Sequence, residues 1–359
     1  MKKFKIIFLV LLLTFSLIVI FSFGKSTVVY KSHPKEIVKS ASYKATILLA
    51  ADREATGEGS GVAVNSKGDI YYLHRASGQY GNSNYIAEPT IVVLDGKTKK
   101  VKNTWGEHLF KSPHGIDIDN KNQIWVTDIS LNKVFKFSPE GQLLQTFGDD
   151  YSFGLEWSLR IRNKMPHFPT FINDNTFARP TDVTVLNDGS FVVSDGYRNH
   201  RIVKFDSNGK LEWQVNKLGD KLGEFNLPHG ISSDDEGNIY VADRNNARIQ
   251  VFDSQGNAID EWDNVAIGRP FGVEVGKDKK IYVVDGGDYL NGSRDNLTSQ
   301  IIILNKNGDV IERFGSWGKE EGQLKIPHDI AVDEKGNMYV AELKNKRLQE
   351  FRLMEVSSN

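Results

Sequence analysis

The chain of 359 residues has no cysteine, few methionines and prolines, and a formal net charge of only −1 at neutral pH. The missing cysteines exclude disulfide staples, thiolate metal ligands and a lipid-bearing cysteine anchor, so stability has to come from the buried core. Without a basic stripe, nucleic acid is not an expected partner. Long apolar runs are absent with one exception, residues 6–23, interrupted only by Thr14, Ser16 and Ser22 and preceded by Lys2, Lys3 and Lys5. That combination is a targeting segment, long enough to span a bilayer, with its lysines on the cytoplasmic side and the rest of the chain exported. Ser22 and Gly24 offer the small residues of a signal-peptidase site, while the length of the run suits an uncleaved transmembrane anchor equally well.

What fills the remainder is one repeated phrase: a proline turn, a short alternating strand, Asp/Asn–Gly turn residues, an aromatic strand ending in an acid, then a third strand. The copies read PHGIDIDNKNQIWVTD from Pro113, RPTDVTVLNDGSFVVSDG from Arg179, LPHGISSDDEGNIYVADR from Leu227, RPFGVEVGKDKKIYVVDG from Arg269 and IPHDIAVDEKGNMYVAEL from Ile326. A degenerate copy, GSGVAVNSKGDIYYLHRA, starts at Gly59. Strands in groups of four, at a period of about 40 to 50 residues, are the mark of propeller blades, because one blade alone cannot bury its faces. The expected fold is therefore all-β, a six-bladed β-propeller. The last copy stops after its third strand, and residues 44–50, KATILLA, are expected to pair with it and close the ring. The expected organisation is a signal or anchor at 1–24, a linker at 25–43 and the propeller at 44–354. Insertions at 149–177 and 286–299 read as loops over one face.

Aligned on the proline, the copies give a column of Ser60, His114, Thr181, His229, Phe271 and His328. Histidine recurs in alternate copies, about 120° apart in a six-fold ring, at the start of each innermost strand. One Pro-His is usually a turn or packing residue. Three in alternate blades, out of eight histidines in the chain, converge on one axial point and describe a three-histidine catalytic zinc site with an open position. His33, His108, His167 and His200 share no such register.

A second column, at the end of the aromatic strand, reads His74, Asp128, Asp195, Asp243, Asp285 and Glu342, residues expected to bond to turns within their blades. Just after it come Arg75 in the first copy and Arg244 in the fourth, and two rim arginines suit an anionic ligand, since guanidinium pairs bidentately with carboxylate. The bland alternative is a pair of surface ion pairs. Tyr197 follows in the third copy, between the blades of His114 and His229. Near a metal and two arginines its phenol is expected to titrate low enough for base chemistry, although an aromatic at a blade end is more often packing.

These motifs, PHGIDID, RPTDVTV, VSDGYRNHRIVKF, LPHG, VADRNNARIQVF and IPHDIAV, resemble the peptidyl-α-hydroxyglycine α-amidating lyases, NHL-repeat propellers that form the second catalytic domain of peptidylglycine α-amidating monooxygenase. The resemblance covers roughly residues 45–353. It implies a carbon–nitrogen lyase that cleaves a C-terminal α-hydroxyglycine to an amide and glyoxylate without consuming water. By motif, His114, His229 and His328 match the family's zinc ligands, Tyr197 its general base, and Arg75 and Arg244 the arginines that hold the carboxylate. Asp329 matches a structural calcium ligand, with the backbone carbonyls of Val62 and Ile116 as companions. The disulfide cysteines of the animal enzymes are absent, with Arg198 beside the tyrosine, and Ile326 stands where the family has a methionine near the zinc. No copper monooxygenase module is present.

Two other functions compete. A non-enzymatic NHL-type propeller would bind a peptide or envelope ligand at its rim, and a calcium lactonase would need axial Glu, Asn and Asp in place of the histidine column. The expected partner is a small-molecule or peptide substrate, with membrane contact through the N-terminal segment if it is uncleaved. Asn291 and Asn296 fit the glycosylation pattern, which matters only in a cell with that machinery.

Overall fold

A computed structural model describes residues 42–354, apart from 55, 163, 166, 167, 169, 171, 264–266 and 288–297. The targeting segment, nearly all of the linker, His33, His167, Asn291 and Asn296 lie outside the described residues. No helix among the described residues is long and apolar enough to cross a membrane.

The repeated phrase folds as its pattern dictates. In the second copy the strands Pro113–Ile118, Ile124–Asp128, Lys133–Phe137 and Leu143–Phe147 pair antiparallel in that order. Between the first two, the Asp119 carboxylate accepts the N–H groups of Lys121 (2.9 Å) and Gln123 (2.8 Å), while Asn122 takes φ +59°, the left-handed conformation that Asn tolerates better than most residues. Asp234 and Asp333 organise the same turn in the fourth and sixth copies. Six four-stranded sheets result, one for each copy. The sixth is completed by Tyr43–Ala50, which pairs with Arg347–Leu353 in the register Lys44 to Arg352 and Ala50 to Arg347, so the ends of the chain meet in one blade as expected.

Because each sheet is apolar on both faces, the core lies between blades. Ala63, Leu73 and Ile91 of the first blade interlock with Ile116, Ile124 and Phe137 of the second. Leu49, Ala331 and Leu348 of the closing blade pack on Val62 and Tyr72 of the first. The axis is left to the innermost strands, Gly59–Val64, Pro113–Ile118, Asp182–Val185, Pro228–Ser233, Pro270–Val275 and Pro327–Val332, which run down it side by side. One expectation needs correction. The 149–177 insertion is not simply loop, since Phe153–Arg162 forms a helix whose Glu156 pairs with Arg160 one turn on (2.9 Å).

Candidate active site

In five of the six blades a proline stands at or just before the start of the innermost strand, and in three of these it follows a residue in the left-handed conformation: Arg179 (φ +64°), Leu227 (φ +70°) and Ile326 (φ +50°). That turn delivers the next side chain to the axis. His114, His229 and His328 are each buried there, their rings 4.5 to 4.9 Å apart between centroids. Each is fixed by a blade with no histidine in this column. The Nδ1–H of His114 donates to the Thr181 carbonyl (2.6 Å), that of His229 to the Phe271 carbonyl (2.7 Å), and that of His328 to the Ser60 carbonyl (2.7 Å). The three non-histidine members of the column are thus the acceptors that orient the three histidines.

A carbonyl oxygen only accepts, so Nδ1 carries the proton and Nε2 presents a bare lone pair in all three rings. One ligand atom from each ring lies within 4.8 Å of the others. Burial, with the neighbouring imidazoles for His114 and His229 and the nearby arginines for all three, holds them well below the ordinary histidine range, so they stay neutral at physiological pH. Three converging acceptors with one shared donor make a poor hydrogen-bond arrangement and a good cation site. The donor is the Tyr197 hydroxyl, 3.0 Å from Nε2 of His114 and 3.2 Å from Nε2 of His229, and its single proton serves one lone pair. The donor set therefore fits a metal of the zinc type, with backbone acceptors fixing ring orientation behind it.

Tyr197, Arg75 and Arg244 come together at this end of the axis. Arg244 stacks over Phe271, its guanidinium carbon 4.8 Å from the ring centre, and reaches to 5.6 Å from the Tyr197 ring. Arg75 is 1% exposed. It faces Tyr80, which meets Tyr197 edge to face at 5.1 Å. Desolvation pushes the Tyr197 phenol up to about 12, outweighing the arginines, which pull it towards ionisation. Ile326, at the methionine position, is fully buried and packs with Phe271, Leu324 and Leu343.

Deeper along the axis the donors change. One residue past the histidine column lie Asp182 and Asp329, on opposite blades. Two further on lie Asp117 and Glu274, again opposite one another. Gly115 shows how tightly this layer is drawn, since a Cβ there would sit 2.2 Å from Asp182 Oδ1. Each acid also fastens a neighbouring strand: Asp329 accepts the Val62 N–H (2.9 Å), Asp182 that of Ile231 (3.1 Å) and Asp117 that of Val185 (2.8 Å). Burial raises all four carboxyls, Asp117 to about 6 and Asp329 to about 7. The calcium candidates Asp329, Val62 and Ile116 line the same channel of about 530 Å³, open at the end away from the histidines. Asp117, Asp182 and Glu274 were not singled out from the sequence. Their signal was an acid at an axial position where other copies have Gly, Ala, Ser or Thr.

The strand-end column behaves as anticipated. Asp128 accepts the N–H groups of Lys111 and Ser112 (both 2.8 Å), and His74 stands in for an acid by accepting those of Gly57 (3.1 Å) and Ala76 (3.0 Å) at Nδ1. Beside Tyr197, Arg198 pairs with Glu156 of the insertion helix (3.2 Å), tying that helix to the rim without a disulfide.

The NHL repeat model matches residues 177–205 and 225–252, in the third and fourth blades. Peptidyl-glycine alpha-amidating monooxygenase B of Xenopus laevis is 30% identical over 82% of the chain and 34% of its own length, so the chain spans about a third of that protein. The probable peptidyl-alpha-hydroxyglycine alpha-amidating lyase of Caenorhabditis elegans is 29% identical over 83% of both chains. Among solved structures, a streptogramin B lyase superimposes with a TM-score of 0.55 over 87% of this chain and 98% of its own, at 17% identity, a likeness of fold alone. By repeat, fold and aligned length, the chain carries NHL repeats and is homologous to proteins named peptidyl-α-hydroxyglycine α-amidating lyase.

Proposed function

We propose that the chain is a zinc-dependent lyase that cleaves a peptidyl-α-hydroxyglycine-like carbinolamide to an amide and glyoxylate. The observation that carries this reading is the meeting of three Nε2 lone pairs, a phenol hydroxyl and a buried arginine with unpaired donors in one pocket. His114, His229 and His328 would hold the zinc, which when bound supplies Lewis-acid stabilisation of the carbinol oxygen. Tyr197 takes the hydroxyl proton. The electrons of that O–H bond become the new carbonyl, the C–N bond breaks, and the departing nitrogen gains a proton to become the amide. Nothing is oxidised or reduced and no water is consumed.

Tyr197 must be ionised to act as this base, and the protein alone keeps its phenol near 12. Arg75 and Arg244 supply part of the positive field required, and charge held at the histidines supplies the rest. The same arginines bind the substrate carboxylate. Asp329, with the carbonyls of Val62 and Ile116, would hold a structural calcium further down the axis, where oxygen donors suit a hard cation. The homologues' names support the substrate class, and an apolar N-terminal segment supports an exported protein, secreted or held at the membrane.

Glyoxylate release from α-hydroxyhippurate by the zinc-loaded protein tests the reading. Release that depends on all three histidines is expected. Release no faster than that of the histidine-to-alanine variants would overturn it and leave a binding module.

A further inference from the structure

The two arginines differ in how they are held. Arg244 is partly exposed and stacks on aromatic rings, whereas Arg75 is sealed in at 1% exposure. Arg75 has one close carboxylate partner: its Nη1 donates to Glu58 Oε2 at 3.0 Å. The backbone reinforces the pairing, because the Arg75 N–H donates to the Glu58 carbonyl (3.0 Å). Glu58 is itself largely buried, with the Lys344 ammonium 3.9 Å from its other oxygen. The remaining side-chain donors of Arg75, Nε and Nη2, are buried and have no partner within the protein.

Those two N–H groups lie on one edge of the guanidinium, the edge that meets a carboxylate with two parallel hydrogen bonds. An arginine left free to turn would satisfy them with its own neighbours, since a buried donor without a partner is costly. We infer that Glu58 is a positioning residue, which clamps Nη1 of Arg75 so that the Nε/Nη2 edge stays open for the carboxylate of the substrate and of glyoxylate. This rests on the lyase reading for the identity of the ligand but not for the geometry. Glu58 also carries a charge of the same sign as that ligand, so its hydrogen bond and its charge act in opposite directions on affinity. A glutamine at this position keeps an acceptor for Nη1 and removes the repulsion; an alanine removes both.

Calorimetric titration of the full-length protein with glyoxylate separates the two. Glu58→Ala should weaken glyoxylate binding by about tenfold, the loss of one oriented charge-assisted pair. Glu58→Gln should bind as well as the wild type or better. In turnover, Glu58→Ala should raise KM for α-hydroxyhippurate by a similar factor with a smaller change in kcat, and its effect should shrink on the methyl ester, which lacks the anion. Circular dichroism confirms that each variant is folded. Wild-type affinity in Glu58→Ala, an equal loss in Glu58→Gln, or an equal loss on acid and ester would each overturn the inference. If the wild type binds glyoxylate in a Glu58-dependent way but turns nothing over, the lyase reading fails while the inference stands; turnover with no dependence on Glu58 gives the converse.

Discussion

The two ends of the propeller axis are built from the same six strands, yet they prepare opposite chemistry. At one end alternate blades contribute neutral imidazoles, each with its proton committed to a backbone carbonyl and its lone pair facing inward. One to three residues along, opposite blades contribute Asp182 with Asp329 and Asp117 with Glu274, carboxyls that burial raises above the ordinary range. Three-fold placement of nitrogen donors suits a compact ion of borderline softness. Two-fold placement of oxygen donors, with backbone carbonyls between, suits a larger, hard one. Which cation a propeller axis can hold is therefore decided by the column of the innermost strand that carries the polar residues, not by the fold.

The comparison breaks most sharply at the histidines. Replacing any one of His114, His229 or His328 by alanine should remove most bound zinc, measured by elemental analysis, and drop glyoxylate release to the level of the metal-stripped protein. The thermal stabilisation given by calcium should survive, because its donors are elsewhere. Asp329→Ala should do the reverse, losing the calcium response and keeping zinc. Stoichiometric zinc in the double variant His114→Ala with His229→Ala would sink the site. Tyr197→Phe should have the next largest effect: zinc retained, with the rate down by about 10² to 10⁴, the usual contribution of a positioned general base. A rate within threefold of wild type would show that the phenol is packing only.

Much of this was readable before any coordinates. The histidine column stood out because one rare residue type recurs in alternate copies of a regular phrase, and the ring closure because the sixth copy lacks a strand that residues 44–50 could provide. Other features had no such repetition. Asp117, Asp182 and Glu274 occupy two different columns and follow no single motif, so their opposition across the axis emerges only when the ring is closed. The pinning of each imidazole by Thr181, Phe271 or Ser60 uses backbone oxygens, which any side chain in those positions would supply. The direction of the Tyr197 shift depended on weighing desolvation against two arginines, a balance that spacing along the chain does not encode. Glu58 stands just outside the degenerate copy that starts at Gly59, at a position that repeats in no column, and is made visible only by the donors it leaves free on Arg75.

The smallest expected effect concerns the acidic end without its cation. Glu274 is half-buried in the axial channel, its Oε2 accepts the Ser232 hydroxyl (3.0 Å), and the charges of Asp117 and Asp329 add to desolvation in raising its carboxyl well above the usual range. A carboxyl raised in this way is protonated and harmless at low pH, and the stability it leaves intact there is lost as pH rises through its folded value. Glu274→Gln preserves an acceptor for Ser232 while removing the charge. In protein stripped of divalent ions by EDTA, the variant should therefore melt higher than wild type at pH 8, by about 2–4 °C for roughly 1 kcal/mol of relieved repulsion in a domain of this size. As pH falls and the wild-type carboxyl takes up its proton, the two should converge. Calcium should then raise the melting temperature of wild type more than that of the variant, since part of what the ion neutralises is already gone. A variant less stable than wild type at pH 8 in EDTA would mean that the acidic layer is held together by its own hydrogen bonds and is not waiting for a cation at all.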